Sequence, residues 1–257
     1  ITAWSLAFAY GLKAIATTQE VITTPFEFLK NSKMLLEESK YGFGFICKSL
    51  DDIKFLSDLI KAGIKIRYNT LPLTNSKIDW DAGSIFILKA DNRNYKQYFT
   101  KLKEMVNQHK ITLHNIYTGY SEKGPDMGSD KIKLIKAPRV GLLKSENSSS
   151  YNYGELWNFF EQELNYPLLR INEKKLHSVL PEIDVLILPD GDYPSFENFG
   201  NGKKIEEWIH SGGKLIALAG ALNIFADTEN FALKKKNPKN QTENTIPYME
   251  KDRSDIS

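Results

Sequence analysis

A single cysteine, Cys47, stands among the 257 residues of the chain, so no internal disulfide staples it and cysteine usage assigns no redox compartment. Cys47 closes the apolar run Phe43, Gly44, Phe45, Ile46 and reads as a buried strand residue rather than a reactive thiol. Long apolar runs are missing too. The opening stretch, residues 1–17, has neither a basic leader nor the roughly 20 apolar residues that cross a bilayer, which leaves no membrane span to expect. That the chain opens on Ile1 leads to the expectation that a longer protein was cut or processed here. Charge of one sign is also lacking. The 34 basic and 32 acidic residues leave a net +2, too weak a field to make nucleic acid the default partner. Histidine is scarce, at four residues. His109, His114, His177 and His210 do not fall at the paired His and Glu spacing of zinc enzymes, so structural roles are expected, with His210 placed to meet a helix dipole.

What is present is enough apolar material for real cores, 41% hydrophobic with 12% aromatic residues. Residues 1–40 read as a helical docking segment, with Trp4, Leu6, Phe8, Tyr10, Leu12 and Ile15 as its apolar positions. From Tyr41 an α/β rhythm begins. An apolar run to Cys47 is followed by the cap residues Ser49 and Asp52, a helical stripe of Ile53, Leu56, Leu59 and Ile60, a stop at Gly63 and a strand over 64–68, which reads as a βαβ unit. A strand over 84–88, a helix over about 95–108 and a strand over 112–117 complete a small α/β lobe, 41–118. The Gly, Pro, Ser and Asp-rich stretch 119–138 reads as a linker.

A second lobe, 139–233, reads as strands over 139–143, 168–171, 184–188 and 214–218, with helices over 151–164 and 203–210. Short loops between alternating strands and helices predict a parallel sheet with helices on both faces. Residues 234–257 are polar, with three consecutive lysines, and read as a tail.

Open parallel sheets bind ligands beyond the carboxyl ends of their strands, so the candidate crevice gathers Glu146, Asn147, Asp190, Gly191, Ala219 and Gly220. The turn after the last strand has the small-residue character of a nucleophile elbow, with Ala219 at the nucleophile position. A methyl group attacks nothing, so no catalytic residue is expected in this chain. Gly191 beside Asp190 would let backbone amides point into the crevice, although a turn needing positive φ selects glycine equally well.

The stretches Thr2, Ala3, Trp4, Ser5, Leu6 and Ala9, Tyr10, Gly11, the segment Gly124, Pro125, Asp126, Met127, Gly128, Ser129, and the helix Tyr153, Gly154, Glu155, Leu156, Trp157, Phe159, Phe160, Glu161 together resemble the region that follows the catalytic domain in bacterial zinc carboxypeptidase-like proteins of the carboxypeptidase A type. The second lobe is similar to flavodoxin-like, class I glutamine amidotransferase-like domains, whose elbow cysteine matches Ala219. The resemblance implies a non-catalytic accessory C-terminal region whose partner is the parent's own peptidase domain, with a peptide or small molecule as ligand. It implies zinc in the absent peptidase domain and no cofactor or metal here, and a periplasmic or secreted parent that hydrolyses peptides from the carboxyl end. The alternatives are a stand-alone amidotransferase-like hydrolase or binding domain using Glu146 or Asp190 without a cysteine nucleophile, and a structural dimerisation module.

Overall fold

The computed structural model describes residues 7, 11–24, 36–194, 196 and 201–236. By their contacts residues 1–33 form one compact unit and residues 34–257 another. In the first unit, residues 12–24 carry neither helix nor strand, and Leu12, Ile15, Val21 and Ile22 are exposed. The expected docking positions Trp4, Leu6, Phe8 and Tyr10 lie outside the described residues, as does the expected tail from 237 onward. Lys234, Lys235 and Lys236 are exposed and have no regular structure.

The second unit is a mixed α/β structure. Its first sheet comprises β1 (Gly42–Phe45), β2 (Arg67–Asn69), β5 (Ile85–Leu88), β6 (His114–Ile116) and β7 (Ile132–Leu134), in the order β6-β1-β5-β2-β7. Helices α1 (Leu50–Lys61) and α2 (Tyr98–His109) cross over between strands, and β3 (Leu73–Asn75) pairs with β4 (Ile78–Trp80) in a separate hairpin. Helix α1 starts where the sequence places it: the Ser49 hydroxyl accepts the Asp52 amide at 3.2 Å while the Asp52 carboxylate accepts the Ser49 amide at 2.8 Å.

The expected βαβ unit is corrected in its pairing. Strands β1 and β2 run parallel, but β5 lies between them and pairs antiparallel with both. Likewise β1 separates β5 from β6. A crossover helix fixes only that its two strands point the same way; it leaves a gap that a later, wholly apolar strand can fill, and Ile85–Leu88, buried at every position, fills it. The result is a pair of interlocked split βαβ units.

Both faces of this sheet are sealed. The two helices cover one face with Phe55, Leu59, Leu102 and Val106 against Phe43 and Phe45. On the other face Trp80 packs with Phe86, Ile116 and Met127. Gly44 is bare because the Trp80 ring needs the room: a Cβ there would stand 2.6 Å from the indole. Part of the stretch 119–138 folds over this same face, with Met127 buried, Lys123 bridged to Thr74 and β7 paired with β2.

The second sheet is parallel throughout, in the order β11-β10-β8-β9. Its strands are β8 (Val140–Lys144), β9 (Leu168–Asn172), β10 (Val185–Leu188) and β11 (Lys214–Ala217). Helix α3 (Ser150–Asn158) continues into a π turn, Phe159–Glu163, and covers one face with Leu156, Trp157 and Phe160 against Val140, Leu142 and Ile187. The short α4 (Leu176–Val179) and α5 (Asn201–His210) cover the other, where Leu176, Ile205 and Trp208 meet Leu186 and Leu188.

Among the described residues, polar and apolar contacts join the two sheets' layers. Lys54 Nζ donates to Glu163 at 2.7 Å, Asn165 Nδ2 donates to Asp58 Oδ1 at 3.1 Å, and Ile60 packs against the cluster of Val140 and Tyr166. The other oxygen of Asp58 lies 2.8 Å from His109 Nε2, so one carboxylate ties α1, α2 and the turn after α3 together.

Candidate functional site

Because β8, β10 and β11 are adjacent and parallel, their following loops emerge at one edge, and the chain reverses its direction of travel across the sheet between β8 and β10. The loop after β8 is folded on itself by serine hydroxyls. Ser148 Oγ donates to Ser145 O at 2.8 Å, and Ser145 Oγ accepts the Asn147 amide at 3.3 Å. The loop after β10 is then laced to it. The Ser149 amide donates to Asp190 O at 2.7 Å, the Asp192 amide to Asn147 O at 3.3 Å, and Ser148 bridges Gly191.

Gly191 is required by this lacing on two counts. Its φ of +152° is one that side chains rarely adopt, and a Cβ would stand 2.6 Å from both Asn147 O and Ser148 Cα. Asp190 is held at three points: its amide donates to Asn152 Oδ1 at 2.9 Å, its carbonyl takes the Ser149 amide, and its Oδ1 accepts the Gly220 amide at 2.8 Å. Below it, Tyr193 is buried and donates its hydroxyl to Pro189 O at 2.8 Å; burial, then the charges of Glu173 and Asp190, push its phenol well above the usual range.

Ala219 is exposed and has φ +45°, the left-handed conformation that β-carbons resist, at the turn from β11 into the short 3-10 segment Ala219–Ile224. A positive-φ residue between a strand and a helical turn is one feature of an elbow, in which the amide after the nucleophile stabilises the oxyanion. Here that amide, of Gly220, is already bonded to the Asp190 carboxylate. Asn147, Asp190, Gly191 and Gly220 thus meet in one hydrogen-bonded knot with Ala219 beside it. Glu146 does not join it: its side chain is 91% exposed and pairs loosely with Lys174 at 3.6 Å.

The histidines stand elsewhere. His109 meets Asp58, His114 packs on Trp80, His210 lies 3.8 Å from Glu206, and His177 lines a cavity with Trp208 and Lys204. Among the described residues no group of three or more His, Cys, Asp or Glu side chains is placed to hold a metal ion, and no helix is long and apolar enough to cross a membrane. Cys47 is half-buried; burial first, and the Asp52 charge second, push its thiol up and away from the reactive thiolate.

Two features were not among the sequence candidates. Asn152, in the first turn of α3, holds the Asp190 amide, and nothing in its local pattern distinguishes it from a solvated helix residue. A cavity of about 210 Å³ beside α5 is lined by three phenylalanines from separate stretches, a convergence that only the tertiary fold reveals. Comparison with protein-family models, curated proteins and solved structures finds no match to this chain.

Proposed function

We propose that the chain is a non-catalytic accessory region, a two-lobed support or ligand-binding module whose second lobe has the flavodoxin-like, amidotransferase-like arrangement. The bond from the Gly220 amide to Asp190 Oδ1 carries this reading. Acyl transfer at such an elbow needs a nucleophile, a base to activate it and a free amide for the oxyanion. Ala219 supplies a methyl group, His109, His114 and His210 meet Asp58, Trp80 and Glu206 away from it, and the Gly220 amide has a carboxylate in the place of an oxyanion. On the resemblance read from the sequence, the parent is a periplasmic or secreted zinc carboxypeptidase-like protein, and zinc belongs to its peptidase domain.

The test pairs Ala219→Cys with the double variant Ala219→Cys, Asp190→Ala, which frees the amide as well. Both are expected to leave glutamine and activated esters at the uncatalysed rate while retaining the native circular dichroism spectrum. Turnover by either variant would overturn the non-catalytic reading. Reading the coding sequence upstream of Ile1 tests the parent: a His-x-x-Glu pair with a later histidine is expected there, and an open reading frame without them removes the peptidase assignment.

A further inference from the structure

The cavity beside α5 has a wall chemistry of its own, independent of the knot at the strand ends. Phe196, Phe225 and Phe231 line it, the latter two with ring centroids 4.9 Å apart and planes tilted by 51°. Phe196 and Phe225 are buried and held by the second core, so two of the three rings are fixed in place before any ligand arrives. Gly202 leaves the first turn of α5 bare at this point, and one turn later Glu206 adds the sole ionisable side chain among the described lining residues. Among the described residues no lysine or arginine lines the cavity. The Thr228 hydroxyl donates to Phe225 O, so its one proton is spent within the wall.

Phenyl rings and a single carboxylate, with the neutral Asn230 beside them, select against most ligand classes. An anion meets no cation here. A metal ion needs several hard oxygen ligands, and one carboxylate among phenyl rings does not supply them. A wholly neutral apolar ligand would bury Glu206 against hydrocarbon without a partner, since its contact with His210 is a loose 3.8 Å. An alkylated ammonium satisfies both halves of the wall: its charge is spread over methyl groups, it is weakly hydrated, and it is attracted by ring faces and by the carboxylate together. At about 30 Å³ per water-sized group, a cavity of 210 Å³ admits about seven non-hydrogen atoms, the size of a trimethylammonium head with a two-carbon alcohol.

We infer that this cavity is a binding site for a small quaternary ammonium compound, held against Phe196, Phe225 and Phe231 with its charge facing Glu206. The inference does not rest on the accessory-region reading, and a catalytic chain would carry the same pocket.

Titration calorimetry of the whole chain with choline, tetramethylammonium and 3,3-dimethylbutan-1-ol, the uncharged analogue of choline, decides it. Choline and tetramethylammonium are expected to bind saturably at one site, with the neutral alcohol roughly tenfold weaker or worse, a factor that corresponds to about 1.4 kcal/mol. Glu206→Gln, on a partly exposed helix face, keeps the fold and is expected to lower choline affinity by a similar factor; Phe231→Leu stays apolar but removes the ring, and is expected to lower it as well. No saturable binding at millimolar choline overturns the site, and so does equal affinity for the neutral alcohol or an unchanged affinity in Glu206→Gln.

Discussion

The two sheets face the same problem, an apolar surface to be kept from water, and solve it to different depths. In the antiparallel sheet, β1 and β5 are buried at every position because helices cover one face and the β3-β4 hairpin with the 119–131 stretch covers the other. The parallel sheet loses its cover toward β11. Ile187 on β10 is 3% exposed while its register partner Ile216 is 45% exposed. Both are isoleucines in apolar strands, so the strand's own composition does not set its burial. The reach of the flanking helix does: α3 packs on Ile187 and stops short of its neighbour.

The largest test of that contrast sets one deletion in each sheet. Phe86 is fully buried and packs edge-on to Trp80 at 5.1 Å between centroids, so Phe86→Ala is expected to cost about 3–5 kcal/mol in urea unfolding. Ile216→Ala, already near half in water, is expected to cost less than about 1 kcal/mol. Equal losses would mean that something covers β11 in solution, and the comparison would break.

A second expectation sharpens it within the parallel sheet, whose strand ends are laced by the bonds around Asp190. Gly191→Ala forces a side chain into φ +152° and against the Asn147 and Ser148 backbone. The strain is expected to cost about 1–3 kcal/mol. Hydrogen exchange should speed at the Ser149 and Gly220 amides, which both donate to Asp190, and stay unchanged across β5. Unchanged protection at those two amides would show that the lacing is not what holds the edge.

A third expectation concerns the joint between the two sheets. Asp58 is 16% exposed and accepts from Asn165 while meeting His109. Asp58→Ala leaves the sheltered His109 and the exposed Asn165 without their acceptor, at an expected cost of about 1–2 kcal/mol. Because the change weakens contact between the two sheets' layers as well as the α1–α2 tie, the unfolding curve should lose sharpness as the two sheets unfold at different urea concentrations. A purely parallel displacement of a single sharp transition would place the effect in the α1–α2 tie instead.

How far these features were legible depended on whether their cause was local. The capping box at Ser49 and Asp52, the helical stripe behind it and the apolar strand 185–188 are written in neighbouring residues, and the structure has them within a residue or two of their expected ends. The β3-β4 hairpin was not read. Its turn places Ser76 at φ 56° and Lys77 at φ 63°, the mirror-image turn that usually advertises itself with Asn-Gly, and neither residue gives that cue. The pairing of β1 with β5 was equally hidden, since which strand fills the gap left by a crossover is decided by contacts distant in sequence. At the candidate site, strand polarity was enough to name the loops that meet, but not to see that Asp190 would turn back onto the Gly220 amide or that Glu146 would stand out in water.

The smallest expected effect separates the two arginine and aspartate pairs that pin each sheet. Arg67 holds Asp91 through two parallel bonds of 2.6 and 2.9 Å, with side chains 28% and 16% exposed. Arg139 holds Asp184 at 3.2 Å through each of two nitrogens, and the pair is about half exposed. The Arg139 side chain, then its backbone amide at 2.7 Å, draws the Asp184 carboxyl below the usual carboxylate range. A carboxyl lowered on folding contributes stability that is complete above its unfolded value, near about 3.9, and is lost as pH falls through the lower folded value. Arg139→Gln removes the larger cause and keeps the backbone donor, so its acid-unfolding midpoint should move upward only slightly while stability at neutral pH barely changes. Solvent screening makes this contribution small and salt-sensitive, so the difference between variant and parent should vanish in high salt. Arg67→Gln should instead destabilise the first sheet at neutral pH in both salt conditions, because its loss leaves Asp91 sheltered without its partner. If the two variants respond alike to pH and salt, the pins are equivalent and burial is not what distinguishes the sheets.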